Sequence, residues 1–400
     1  MKFKTEKLGD FLYVKGRIGW KGLKKDEYLS DGVYRIINGE ALTKDGIDWS
    51  KAGFISKERY EESPEIMLQN DDILISKDGT IGKLGFVRNL ENPSTVASGI
   101  FVLRNLKPEM INIRFIYNYL SSVYFRNYII SRTEGSVIPH LYQKDFVDLY
   151  FPLPSLKEQN KIVDVLDTIS CKIEINKMIN NNLLEQVLTL YRNRFIDTIN
   201  NKRRIFRADK YFDISIGKTP PRKEPQWFST NPQDITWVSI SDMGTCGLYI
   251  SSSSEQLTRE AVERHNVKIV PDNTILLSFK LTVGRIAITN GEMTTNEAIA
   301  HFKTDKKEIN EYLYCYLKCF NYQTMGSTSS IATAVNSKII KGMPFVVPTD
   351  DELIDFHSVA APIFAKIKAS QTESKNLTAV RDILLPKLMS GELDVSNIDI

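Results

Sequence analysis

The chain has 400 residues, of which 42% are hydrophobic and 25% charged, enough apolar material for two or three globular units and too much for a disordered chain. Its net charge of +3 permits nucleic-acid binding through a local basic face without demanding it. A polar start, no apolar run of about 18 residues, and four cysteines (Cys171, Cys246, Cys315, Cys319) without a C-x-x-C pair exclude a membrane span and a structural zinc site and predict a reducing cytoplasm.

In chain order, the first feature is a basic, glycine-punctuated opening, with Lys15, Arg17 and Lys21 around Gly16, Gly19 and Gly22. Next comes Ile73-Leu74-Ile75-Ser76, a buried strand by composition. A turn with Thr80, Ile81, Gly82 and Lys83 follows, and then a second strand. Gly82 marks a place where the backbone needs room. Lys77 and Lys83 flank this turn. Phe115 to Leu120 reads as a short aromatic-rich helix, and Gly135-Ser136 leads through Lys144 to Phe151-Pro-Leu-Pro154.

Ser155 followed by Glu158 has capping-box spacing and predicts a helix start. From there Ile162, Leu166, Ile169, Ile173, Asn176, Asn180, Leu183, Val187, Leu190 and Arg194 step by four and three, a heptad seam.

The remainder repeats this order. Lys218 and Arg222 surround Thr219-Pro220-Pro221. Ile275-Leu-Leu-Ser278 and Thr282-Val-Gly-Arg285 repeat the strand and turn at an offset of 202 residues, Ser278 against Ser76, with Lys280 and Arg285 as the flanking cations. Tyr312 to Leu317 matches the aromatic helix. Ser329-Ser330 through Lys338 to Phe345-Val-Val-Pro348 matches the junction at an offset of 194, Pro348 against Pro154. At that offset a second seam runs through Phe356, Ala360, Ile363, Ile367, Ser370, Ser374, Leu377, Arg381, Leu384 and Leu388. Both seams are apolar at the ends and polar in the middle, which favours mutual pairing with a fixed register over packing of each helix on its own domain.

The predicted fold is therefore α+β. Two target-recognition domains of mixed α/β structure, residues 1–154 and 201–348, alternate with two long antiparallel helices, residues 155–200 and 349–400 with its tail. The helices pair as a coiled coil through a pseudo-two-fold internal repeat. A helix from Ile162 to Arg194 extends about 50 Å, on the order of one to one and a half turns of B-DNA, so the pair can act as a ruler between two unlike reading heads. Lys15, Arg17, Lys21, Lys77, Lys83, Lys218, Arg222, Lys280 and Arg285 are the candidate DNA contacts, because cations on short turns approach phosphates and base edges.

A search for catalysis is empty. There is no G-x-x-x-x-G-K-[ST] loop, no dinucleotide fingerprint, no acidic-x-lysine after Asp71-Asp72, no glycine-rich loop suited to S-adenosylmethionine and no Asn-Pro-Pro-aromatic motif. Asp350-Asp351-Glu352 reads as acids favouring a helix start.

Several stretches resemble the specificity subunit of type I restriction–modification systems. They are Phe151-Pro-Leu-Pro-Ser-Leu-Lys-Glu-Gln159 leading into a long helix and Leu384-Leu-Pro-Lys-Leu-Met-Ser-Gly-Glu392 ending one. With them stand Ile216-Gly-Lys-Thr-Pro-Pro221 with Trp227, Ile235-Thr-Trp-Val238 and Asp242-Met243, and the opening Lys15-Gly-Arg-Ile-Gly-Trp-Lys-Gly-Leu23. The resemblance implies a non-catalytic chain that binds a bipartite, asymmetric double-stranded DNA target. It implies two methyltransferase subunits docked on the paired helices and motor–nuclease restriction subunits joined through the complex. S-adenosylmethionine, Mg and ATP would then sit on those partners. The second junction departs from the pattern, reading Val347-Pro-Thr-Asp-Asp-Glu-Leu353. The competing readings are a targeting subunit whose methyltransferase and nuclease partners are fused in one chain, a non-DNA-reading scaffold or decoy, and an autonomous enzyme.

Overall fold

The computed structural model describes residues 3–18, 22–43, 46–133, 140–198, 200, 202–325 and 335–395. Gly19, Lys21, Gly135-Ser136 and Ser329-Ser330 lie outside the described residues. The chain forms two compact units, one of Met1–Lys172 with Asn376–Ile400 and one of Ile173–Lys375. The two long helices are shared out between the units and do not form a separate body: each unit takes part of each helix.

The first unit is built on strands β1 (Leu12–Gly16), β2 (Ile73–Ser76), β3 (Leu84–Phe86) and β4 (Ile100–Asn105), in the order β1-β4-β2-β3 and antiparallel throughout. β2 is central and buried on both faces, as its unbroken aliphatic run requires. Ile73 and Ile75 enter a core with Phe101, Phe115, Ile116 and Phe151, while Leu74 enters a second core with Val87, Val96 and Val102. The helix α1 (Ile113–Ser121) packs its aromatic face on the first of these cores. A helix α2 starts at Leu156, where the Ser155 N–H and hydroxyl both donate to Glu158 Oε2 (2.9 and 2.6 Å) and Ser155 Oγ accepts the Glu158 N–H at 3.4 Å.

The second unit repeats the plan. Strands β5 (Asp213–Ile216), β6 (Tyr249–Ile250), β7 (Ile275–Ser278), β8 (Ile286–Thr289) and β9 (Ile299–Lys303) lie in the order β5-β9-β7-β8-β6, with β6 added parallel at the edge. The registers match: Ile100 opposes Ser76 as Ile299 opposes Ser278, and Leu84 opposes Ile75 as Ile286 opposes Leu277. Even the closing pairs recur, Lys4–Lys7 on Tyr150–Leu153 and Arg204–Arg207 on Pro344–Val347. The helix α3 (Asn310–Cys319) replaces α1, and the Tyr119 hydroxyl bond to Tyr150 O (3.1 Å) reappears as Tyr316 to Pro344 O (2.8 Å).

α2 runs from Leu156 to Tyr191, and a helix α4 from Asp350 to Ser390. Within the second unit they are antiparallel neighbours. Asn176 Nδ2 donates to Glu373 Oε2 (2.8 Å) and Ser374 Oγ (3.3 Å), while four turns on Tyr191 meets Phe356, ring centroids 6.2 Å apart. Ascending α2 thus descends α4. Val187, Phe356 and Ile367 share one core with β7 and α3, with Leu183, Leu190 and Ile363 packed against it. Within the first unit Ile162 and Leu166 share a core with Leu388 and β2, and Leu384 packs against it. Asn176 and Ser370 are buried, and Ile169, Ile173, Asn180 and Leu377 are half-buried. Arg194 is exposed, beyond the end of the stripe. The stripe therefore serves two neighbours at once, the other helix and the sheet domain. Among the described residues no helix is long and apolar enough to cross a membrane.

Candidate nucleic-acid interface

One end of each sheet carries the same clamped hairpin. In the first unit the Ser76 N–H donates to Lys83 O and the Gly82 N–H to Ser76 O, both at 3.0 Å. The Ser76 hydroxyl donates to Thr80 O (2.6 Å) and accepts the Lys83 N–H (2.9 Å). In the second unit every bond recurs: Ser278 N–H to Arg285 O at 2.9 Å, Gly284 N–H to Ser278 O at 3.0 Å, Ser278 Oγ to Thr282 O at 2.6 Å, and Arg285 N–H to Ser278 Oγ at 3.0 Å. A serine is suited to this position because one small group both donates and accepts inside the turn. The loops even leave the sheet on the same anchor, Lys77 N–H to Gly99 O and Phe279 N–H to Ala298 O, each 2.9 Å. Each loop has two left-handed positions, Gly79 (φ +65°) and Gly82 (φ +84°) in one, Leu281 (φ +60°) and Gly284 (φ +90°) in the other.

With the frame equal, the tips differ in chemistry. Lys77-Asp78-Gly79-Thr80 in the first loop corresponds to Phe279-Lys280-Leu281-Thr282 in the second. Asp78 is hydrogen-bonded to the His140 ring at Nδ1. Lys280 is exposed, and Leu281 is 100% exposed.

The predicted cations fall into separate groups. Lys15 on β1 and Lys77 just past the end of β2 are half-buried, their amines over the Tyr13 and Phe101 rings at 5.7 and 4.8 Å. Lys83 reaches back to donate to Gly39 O at 2.9 Å. Arg17 is a correction: it is 2% exposed, and its guanidinium faces Val96 O (3.1 Å), Thr95 Oγ1 (3.4 Å) and Ser63 Oγ (3.5 Å) inside the domain. Burial pushes its pKa down. Lys21 lies outside the described residues.

In the second unit Lys218 and Lys280 are exposed, Lys218 donating to His265 O at 2.6 Å. Arg222 is exposed but held, with two 2.9 Å bonds to Glu255 and its guanidinium over Phe228 and Trp237 at 4.1 and 4.7 Å. Arg285 is half-buried. Its side chain turns inward to donate to Ile240 O at 2.6 Å, lining a cavity of about 610 Å³ with Lys177, Lys318 and Gln371. A carboxylate that sequence reasoning passed over completes the exposed group. Burial raises the Glu297 pKa, but a hydrogen bond from Thr219 and the charges of Lys280 and Arg222 outweigh it and hold the pKa below the ordinary range. Donors, an acceptor and an apolar tip thus gather at one end of the second sheet, a mixture suited to base edges rather than phosphate alone. Among the described residues no group of His, Cys, Asp and Glu side chains could hold a metal ion.

The family model for the type I restriction modification DNA specificity domain matches residues 1–185 and again 205–373. The chain belongs to that family. This specificity subunit is 26% identical over 345 residues to the type I restriction enzyme MjaIX specificity subunit of Methanocaldococcus jannaschii, covering 79% of this chain and 76% of that one. To the StySPI specificity subunit of Salmonella potsdam it is 21% identical over 401 residues, covering 92% and 84%. It shares its fold with the type I restriction–modification S subunit of M. genitalium, with a TM-score of 0.52, 17% identity and coverage of 97% and 96%. As a specificity subunit the chain is the sequence-reading, non-catalytic member of its system.

The subunit's junction residues have internal roles. Gln159 is fully buried; its Oε1 accepts the Asn112 N–H at 2.9 Å, and its Nε2 donates to Met110 O and Pro154 O. Leu353 stands there in the second copy, buried as an apolar residue. The departing second junction still forms a capping box: the Thr349 N–H donates to Glu352 Oε2 (2.9 Å), and the Glu352 N–H to Thr349 Oγ1 (3.3 Å). Sequence reasoning missed Arg203. It donates to the carbonyls of Arg194, Phe195 and Thr198 just beyond the end of α2 and to the Glu352 carboxylate at the start of α4.

Proposed function

We propose that the specificity subunit reads a split, asymmetric double-stranded DNA target, one half with each unit, and directs partner subunits to it. The observation that carries this reading is the pair of identically clamped hairpins with unlike tips. Equal frames present equal reach toward a duplex, and unequal side chains at the tips select unequal sequences. The first unit offers Lys15, Lys77 and Lys83, and the second Lys218, Arg222 and Lys280, for phosphate and base contacts.

In this reading the outer faces of α2 and α4 carry two methyltransferase subunits, and restriction subunits join through the complex. S-adenosylmethionine, Mg and ATP belong to those partners. The test is a chimaera. Residues 1–154 are exchanged for those of a relative, and the complex with the methyltransferase is assayed for methylated sequence. One half of the target is expected to change and the other to stay. A change in both halves, or in neither, overturns the assignment of one half to each unit.

A further inference from the structure

Resting on that DNA-reading assignment, we infer that Leu281 is a specificity-determining residue which recognises a thymine by contact with its C5 methyl group in the major groove. Leu281 is 100% exposed. Its φ of +60° puts it in the left-handed region, which disfavours an L-residue and suits glycine. The Thr282 N–H donates to Lys280 O at 2.7 Å, closing a three-residue turn around it, the strained form of that turn.

The sister loop has the same serine clamp bonds and the same left-handed backbone at the equivalent position, and there the residue is Gly79 (φ +65°). A glycine would therefore relieve the second loop as well. Leucine here gains no burial and carries backbone strain, so folding does not account for it. What it supplies is an apolar point held rigidly at the apex of the hairpin, because the Ser278 clamp fixes the loop on both sides.

Its neighbours are those of a base-reading surface. Lys280 and Thr282 flank it and are exposed, and Glu297 lies close enough to Lys280 for their charges to couple. A two-stranded ribbon enters the major groove, about 12 Å wide, and is too broad for the minor groove at about 6 Å. The one apolar group that base edges present in the major groove is the thymine methyl.

The test uses the full chain in complex with its methyltransferase and the target read from methylated genomic DNA. Each thymine of the half-site read by the second unit is replaced singly by deoxyuridine, which removes the methyl and keeps the hydrogen-bonding edge. Binding is measured by competition at fixed salt for wild type, Leu281→Ala and Leu281→Gly. One replacement should weaken wild-type binding about fourfold, the worth of one buried methyl group. The same replacement should not further weaken Leu281→Gly, and replacements in the other half-site should affect all three proteins equally. Leu281→Gly should melt no lower than wild type, separating lost recognition from lost folding.

Additive effects of the variant and the deoxyuridine would overturn the thymine contact, as would a half-site in which no thymine methyl matters. A complex that keeps its target preference in those cases leaves the DNA-reading assignment standing. A complex that prefers no split sequence overturns that assignment and the Leu281 role together.

Discussion

Glu352 illustrates how a side chain that reads as a bland helix-start acid becomes a fastener. Burial raises its pKa, but the bonds from Arg203, Asn200 and the Thr349 N–H outweigh this and hold it at about 2, against an ordinary value of 4.5. Its side chain is 22% exposed and that of Arg203 8%, so the pair is only weakly screened by water. Because the folded pKa lies below the unfolded one, the stabilisation is complete above about pH 4.5 and drains away as the pH falls toward 2. Glu352→Gln should destabilise the second unit by about 2 kcal/mol at neutral pH. In thermal melts the gap between variant and wild type should close through that acid window. A gap independent of pH would show that the carboxylate charge contributes nothing there. Arg203 could not be picked out beforehand, because its partners lie at the end of one helix and the start of another, separated by a whole domain in sequence.

The long helices were legible because a heptad stripe is a property of spacing alone. Every seam position except Arg194 is buried or half-buried. What spacing cannot disclose is that the same stripe also packs on the sheets, since a helix face has no label for its neighbour. The polar middle has a concrete basis in the Asn176 bonds to Glu373 and Ser374. Asn176→Asp keeps the shape but sets a buried carboxylate 2.8 Å from the Glu373 oxygen. The new acid's folded pKa would be raised by burial and by like charge, so the penalty exists above that pKa and is relieved below it. The variant should lose roughly 2 kcal/mol or more at pH 7 and regain most of it near pH 4 in denaturant melts. Asn176→Leu should melt at or above the wild-type temperature, since polar seam residues fix register at a cost in stability.

The candidate recognition surface was less legible, because charge in a sequence does not say which way a side chain points. Arg17 and Arg285 sit in glycine turns just as Lys218 and Lys280 do, yet they donate inward to the carbonyl oxygens of Val96 and Ile240, which segments distant in sequence supply. Leu281 drew no notice because an isolated leucine is assigned to a core by default. The available signal was its alignment with Gly79 in the repeat.

Taken as one molecule, the chain uses a single frame twice, and the two copies have separate cores. Separate cores predict independent readings. Ser278 is fully buried, and its hydroxyl makes both clamp bonds. Ser278→Ala leaves the Arg285 N–H and the Thr282 carbonyl without a partner in the turn, at about 1–3 kcal/mol. It should loosen the second hairpin and, on the proposed assignment of one half-site to each unit, relax base preference only in the half-site assigned to the second unit. Ser76→Ala should do the same for the other half. In the double variant the losses in log affinity, measured in the methyltransferase complex across a panel of single-base changes, should add within about 0.5 kcal/mol, as they do for sites that share no partners. A double variant no worse than either single one would mean that the two hairpins engage DNA as one coupled element, and the duplication would then serve a single recognition event instead of two.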